Sequence, residues 1–177
     1  MPVPIPDTIT PRAPGAGDMF LSVTGAKCGQ IAGEAHDQKH KNEIEVLGWS
    51  WGMQGKNAFG GVQATGRATI RELRITKRFD KSSTALMSAL RTNEPIKKAI
   101  LTLRKTGKTP LEYLIITIEN GRVMTVDLDA GDAANSPTLI ERVAFSFNKI
   151  TVAYTPQGPD GQSLGGTSFE DTWENTT

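Results

Sequence analysis

Between Asp18 and Tyr154 apolar residues fall at every second position in one short segment after another, and a single stretch departs from that period. A two-residue repeat marks strands with one buried face, so the chain is committed to a mainly β fold. Met19–Val23, Glu43–Met53, Ala68–Phe79, Ala99–Lys105, Leu111–Glu119, Arg122–Leu128 and Leu139–Tyr154 each read as a strand. The exception begins at Asp80-Lys81-Ser82-Ser83-Thr84, which offers several N-cap residues. Ala85, Leu86, Met87, Ala89 and Leu90 follow, with Leu86 and Leu90 one turn apart, and Pro95 prevents much continuation. One short helix, Ser83–Thr92, is predicted, its apolar stripe covering the open edge or end of a sheet. Seven or more antiparallel strands with one flanking helix make a small β-barrel or sandwich.

Three places carry finer signals. In Glu43–Met53 (EIEVLGWSWGM), Ile44 and Val46 lie on one face, and Leu47, Trp49, Trp51 and Met53 on the other. That switch predicts a bulge near Val46–Leu47 or a strand covered on both sides. Leu139–Tyr154 changes register in the same way at Asn148–Lys149, which predicts a bulge or a tight turn. Asn120-Gly121, between two alternating segments, is the strongest short hairpin signal, because both residues tolerate the positive φ of a type I′ turn.

A length of 177 residues suits one domain. Residues 1–17 hold five of the ten prolines and no strand or helix period. They read as a flexible or polyproline-like arm, with residues 18–177 as one domain. The arm has neither the basic start nor the apolar run of a secretory signal peptide, so export, if it occurs, is expected by another route. Gln54–Gly66 (QGKNAFGGVQATG) is a long glycine-rich loop, near the limit for a structureless connection. Past Pro156 comes a second Gly-rich stretch, then Phe169 and Trp173, aromatics that predict a docked tail. A single cysteine, Cys28, excludes an internal disulfide, and no apolar run approaches the length of a membrane-spanning helix.

Charge is balanced overall at +1 yet unevenly distributed: residues 67–108 hold twelve basic and three acidic side chains, residues 109–177 three and ten. Either these segments neutralise each other within one domain, or they form a bipolar surface that matches positive to negative between copies. The basic segment has one aromatic, Phe79, and so lacks the stacking platform of a nucleic-acid site.

Catalytic signals are absent. His36 and His40 stand four apart beside Glu34 and Asp37, but no glutamate directly follows the first histidine and no third ligand is in view. They read as polar loop residues. There is no nucleophile elbow and no phosphate-cradling loop. Asp127 and Asp129 share one strand face near a loop and read as solvated ends. No catalytic, metal or cofactor residue is assigned, and the chain reads as a non-enzyme.

The segment containing Gly33-Glu34, Asp37, His40 and Ile44-Glu45-Val46-Leu47-Gly48-Trp49-Ser50-Trp51-Gly52 resembles the N-terminal signature of the Hcp family, the tube proteins of type VI secretion systems. Asp80-Lys81-Ser82-Ser83, Glu112-Tyr113-Leu114-Ile115-Ile116-Thr117 and Tyr154-Thr155-Pro156-Gln157 continue the resemblance in order from about Asp18 onward. It implies a barrel similar to phage tail tube proteins. It further implies hexameric rings stacked into a tube, a surrounding contractile sheath, a tip spike and effectors carried in the lumen. Assembly in the bacterial cytoplasm and export without a signal peptide, with no membrane insertion, are implied as well. Residues 1–17 and Cys28-Gly29-Gln30-Ile31 depart from the family pattern.

Within that frame, strand parity sets Ser50 opposite to Trp49 and Trp51, and Ser50 becomes the candidate lumen residue. The loop containing Lys56, Asn57, Phe59 and Val62 becomes the candidate ring-stacking contact. A phage tail tube subunit is the alternative nearest in structure. A carbohydrate-binding β-sandwich, using Trp49, Trp51 or Trp173 as a platform, is the alternative from another class.

Overall fold

The computed structural model describes residues 18–55, 68–106, 110–130 and 138–173. Eleven strands and one helix follow in the order β1 (Asp18–Gly25), β2 (Gly29–Ile31), β3 (Ile44–Ser50), β4 (Met53–Gln54), β5 (Thr69–Ile70), β6 (Leu73–Arg78), α1 (Lys81–Arg91), β7 (Pro95–Lys105), β8 (Leu111–Ala130), β9 (Leu139–Ser146), β10 (Lys149–Tyr154) and β11 (Thr167–Thr172). Every pairing is antiparallel. Strands β8, β7, β1, β3, β6 and β9 pair in sequence, and β9 returns to β8, so six strands close a barrel. The pair β10–β11 continues from β8 as an open extension, β2 flanks β1, and β4–β5 form a separate ribbon. Of the barrel and sandwich that the alternation leaves open, the architecture is the barrel, with one helix.

Strand β8 decides this shape. The sequence predicts a hairpin at Asn120-Gly121, but the chain does not reverse there; one strand of 20 residues continues without interruption. Asn120 does take a positive φ of 52°, so the local tendency is realised as a bend inside the strand. Gly121 then passes so close to β9 that a Cβ would sit 2.0 Å from the Ser146 carbonyl oxygen. The reversal falls instead between Ala130 and Leu139. Phe147-Asn148 holds neither the bulge nor the tight turn predicted there: Ser146 pairs with Arg122 and Lys149 with Glu119 in one register, so β9 and β10 run the same way along β8 and bend together with it. The first half of β8 therefore pairs with β7 and β10, and the second half with β9.

The bulge predicted near Val46–Leu47 is present: Val46 is paired with Lys77 and Gly48 with Thr76, leaving Leu47 as the extra residue. A second bulge, at Met124, divides the expected apolar face of Met124, Val126 and Leu128. Val126 is half-buried, whereas Met124 and Leu128 are exposed. Phe79, placed by parity with Leu73 and Ile75, is also exposed, because β6 stops at Arg78.

The core is formed by Leu21, Val23, Ile44, Leu73, Ile75, Leu101, Ile116, Ile118, Phe145 and Ile150, with Leu86 and Ala89 contributed by the helix. Helix α1 packs against β8. It begins two residues before the predicted start, because Asp80 takes the N-cap position: its carboxylate accepts from Ser82 N, and its own N–H donates to Ser83 Oγ. Trp173 docks edge-on against Phe147 at 5.8 Å, as the aromatic tail suggests, whereas Phe169 stays exposed and all six residues of β11 face solvent.

A buried charge network beneath the helix has no counterpart in the sequence reading. Lys77 and Glu141 pair across β6 and β9 on the core face, both fully buried, with Nζ 2.5 Å from Oε2. Lys77 also donates to Asp80 Oδ1, Ser83 Oγ and the Arg78 carbonyl, and Ser83 Oγ donates to Glu141 at 2.7 Å. Removing one member of such a pair strands the other charge in the interior. Lys77→Met is therefore expected to cost about 3–5 kcal/mol, and Lys77→Met/Glu141→Leu to recover most of that loss. Urea unfolding followed by tryptophan fluorescence checks both.

Candidate functional site

Two surfaces contain the motif residues and Ser50 singled out from the sequence. The first is a strap, residues 32–43, lying beside β1, β7 and β8. Gly33 N donates to the Asn42 carbonyl, Ala35 N to that of Glu43, and Asn42 N to that of Ala35, so the strap folds back on itself. Gly33 must be glycine: a Cβ would lie 2.3 Å from the Glu43 carbonyl oxygen. Asp37 Oδ1 accepts from the backbone N–H groups of Lys39 and His40, and both Asp37 oxygens accept from the Arg104 guanidinium, at 3.1 and 2.6 Å. Arg104, on β7, also binds Asp18 at 2.8 Å.

His40 is buried and stacked on Phe20, ring centroids 4.4 Å apart and nearly parallel. Its Nδ1 lies 2.9 Å from Glu43 Oε2 and its Nε2 lies 3.3 Å from Glu112 Oε1 on β8. The Arg104 guanidinium stands 5.2 Å from the same Phe20 ring. His40 and Asp37 therefore tie the strap to three strands. Glu34 and His36 are exposed. The loop-like polarity expected of His40 is thus only half the account; the period of the strap gives no hint that its ring is buried.

The Arg104 hydrogen bonds hold the Asp37 carboxyl below its ordinary 3.8, at about 2, with the two backbone N–H donors acting in the same direction against desolvation. The Arg104 pKa is raised, first by Asp37 and then by Asp18.

The second surface is the outer face of β3, β6, β9 and the second half of β8. Trp49 and Trp51 pack, half-buried, against the core cluster. Trp49 pairs with buried Ile75, and Ser50, on the opposite face, pairs with Arg74 and is exposed. This is the orientation parity predicts. Lys56, Asn57, Phe59 and Val62 lie outside the described residues, as does the arm 1–17.

Asp37 supplies a direct test of the strap. A carboxyl with a depressed folded pKa adds stability that is present above its unfolded value and is lost as pH falls through the folded one. Asp37→Asn is expected to lower the melting temperature at neutral pH, with the gap to the unsubstituted protein closing between about pH 4 and 2. Thermal melts across that range check it.

The family model described as "Type VI secretion system effector, Hcp" matches residues 20–154. Protein hcp1 of Pseudomonas aeruginosa is 38% identical over 154 residues, covering 85% of this chain and 91% of that protein. The "Major exported protein" of the same organism is 25% identical over 171 residues, covering 88% and 95%. Among solved structures, one described as a type six secretion system protein superposes with a TM-score of 0.77 at 24% identity, covering 90% of this chain and 96% of that one. A type VI secretion system effector from Yersinia pestis superposes with a TM-score of 0.68 at 32% identity, covering 88% and 100%. A barrel of this topology, with the strap and tryptophan strand in place and a family match over most of its length, belongs to the Hcp family of type VI secretion systems.

Proposed function

We propose that the chain works as a structural subunit that closes into hexameric rings, which stack into a tube driven by a contractile sheath and headed by a tip spike. The tube carries effectors in its lumen and is itself exported, after assembly in the bacterial cytoplasm. The observation that carries this reading is the incomplete pairing of the β3–β6–β9–β8 sheet. Strand β3 pairs with β1 only through Ile44 and Glu45, and β8 pairs with β7 only as far as Arg122. Beyond those points each strand has a side without a strand partner among the described residues, next to exposed Met124 and Leu128. Unpaired margins are templates for another chain, and a sheet open at both sides is suited to continue from copy to copy.

In this reading Ser50 lies on the lumen wall and the loop with Lys56, Asn57, Phe59 and Val62 contacts the next ring. A carbohydrate-binding module is disfavoured: Trp49 and Trp51 pack against the core and Trp173 against Phe147, so none stands out as a platform.

Negative-stain imaging with sedimentation analysis is expected to show annular hexamers; a lone protomer at high concentration would falsify the reading. Deleting Lys56–Val62 is expected to leave rings intact while shortening tubes. A photo-crosslinker at position 50 is expected to capture a co-purified effector more strongly than one on exposed β11.

A further inference from the structure

The outer face of the β3–β6–β9–β8 sheet changes sign from one side to the other. The register fixes three rows across it: Ser50, Arg74, Ala144 and Thr125; then Gly48, Thr76, Arg142 and Asp127; then Arg78, Ile140 and Asp129. Arg74 and Arg78 thus stand on β6, one strand in from the β3 margin. Asp127 and Asp129 stand on β8 at the opposite margin, with Arg142 between. All five charged side chains are exposed.

Their partners within the protomer are loose. Arg142 Nη1 lies 3.6 Å from Asp129, and Arg74 Nη2 lies 3.8 Å from Glu72. Arg78 and Asp127 have no ion-pair partner among the described residues. The face is therefore polarised, and Arg74 and the β8 margin each lie beside a strand edge that is incompletely paired; beside Arg78, one residue on from the Val46–Lys77 pair, comes Glu45, which pairs with Phe20 of β1.

We propose that the acidic β8 margin of one copy meets the basic β6 side of the next, across β3, and that this polarity fixes the direction and register of the lateral contact. This rests on the ring reading above. Neighbouring strands stand about 4.8 Å apart, and an extended arginine outreaches one such spacing. Between Arg74 and the margin stands Ser50, too small to block a guanidinium reaching outward.

Donor and acceptor margins differ, so the contact is head-to-tail. Such contacts close into rings when the rotation between copies closes, whereas a two-fold pair would bring like charge onto like charge. Exposed ion pairs are individually weak. They select orientation, while the strand edges and Met124 and Leu128 provide adhesion.

The test compares the unsubstituted full chain with Arg74→Asp/Arg78→Asp, Asp127→Arg/Asp129→Arg and the fourfold charge swap. Ring fraction is read by sedimentation velocity at low ionic strength, and folding by circular dichroism. Each double variant alone is expected to lose rings by about tenfold or more, through like-charge juxtaposition. The fourfold swap restores them. An equimolar mixture of the two double variants also restores them, because each then finds the opposite sign on both sides; a folding defect would not respond to mixing. Where the arginine pair on β8 does not fold, Asp127→Asn/Asp129→Asn takes its place, with ring loss expected at raised salt first. Rings that persist in the double variants, or that fail to return in both the swap and the mixture, overturn the proposal. An unsubstituted chain without rings overturns the underlying reading instead.

Discussion

Strand β8 has more to satisfy than any other element, and its bend is the constraint on which the architecture depends. A strand that stayed straight from Leu111 to Ala130 could not pair with β7 and β10 and then leave with β9 to close the barrel. Asn120 in the left-handed region and Gly121 against the Ser146 carbonyl supply the change of direction at one point. Phe147-Asn148 bends with it on the facing chain without breaking register, so β9 follows the barrel and β10 departs with β11. Helix α1 packs against β8, whose second half has lost β7, and its apolar stripe supplies Leu86 and Ala89 to the core.

Much of this was legible in the sequence because period-two alternation reports burial directly. The strand run, the bulge after Val46 and the single helix each follow from a local pattern that tertiary packing did not override; the face change at Asn148 reflects a bend shared with β8, not the slip that alternation suggests. Asn120-Gly121 was misread for a physical reason. A positive φ is needed by a turn and by a sharp bend alike, and the dipeptide does not reveal whether the following strand returns to its predecessor or goes on to a third. Period two along Arg122–Leu128 also fails at Met124, because a one-residue bulge there shifts the faces that follow.

Charged residues were the least legible. Lys77 sits on the same parity as Leu73 and Ile75, so its burial was available from alternation; a lysine is nevertheless assigned to solvent by default, since such burial requires a partner. That partner, Glu141, is 64 positions away and becomes visible only when β6 and β9 pair. The strap is similar. Asp37, His40 and Arg104 carry no local signature of one cluster, yet their contacts account for two of the polar residues in the family motif, while exposed Glu34 has no such account.

The terminal strand differs in kind from the barrel. β11 contributes no residue to the buried core; backbone pairing with β10, the Glu170 contacts to Lys149 and Thr151, and the Trp173–Phe147 contact attach it. Peeling it away would uncover β10 and little of the interior, so this margin is the segment of the sheet with least thermodynamic obligation to the rest. Apart from Glu170, held by Lys149 and Thr151, and Asp171, which accepts from Thr172 N, its side chains can follow whatever surface they meet, and the barrel's integrity does not depend on the outcome.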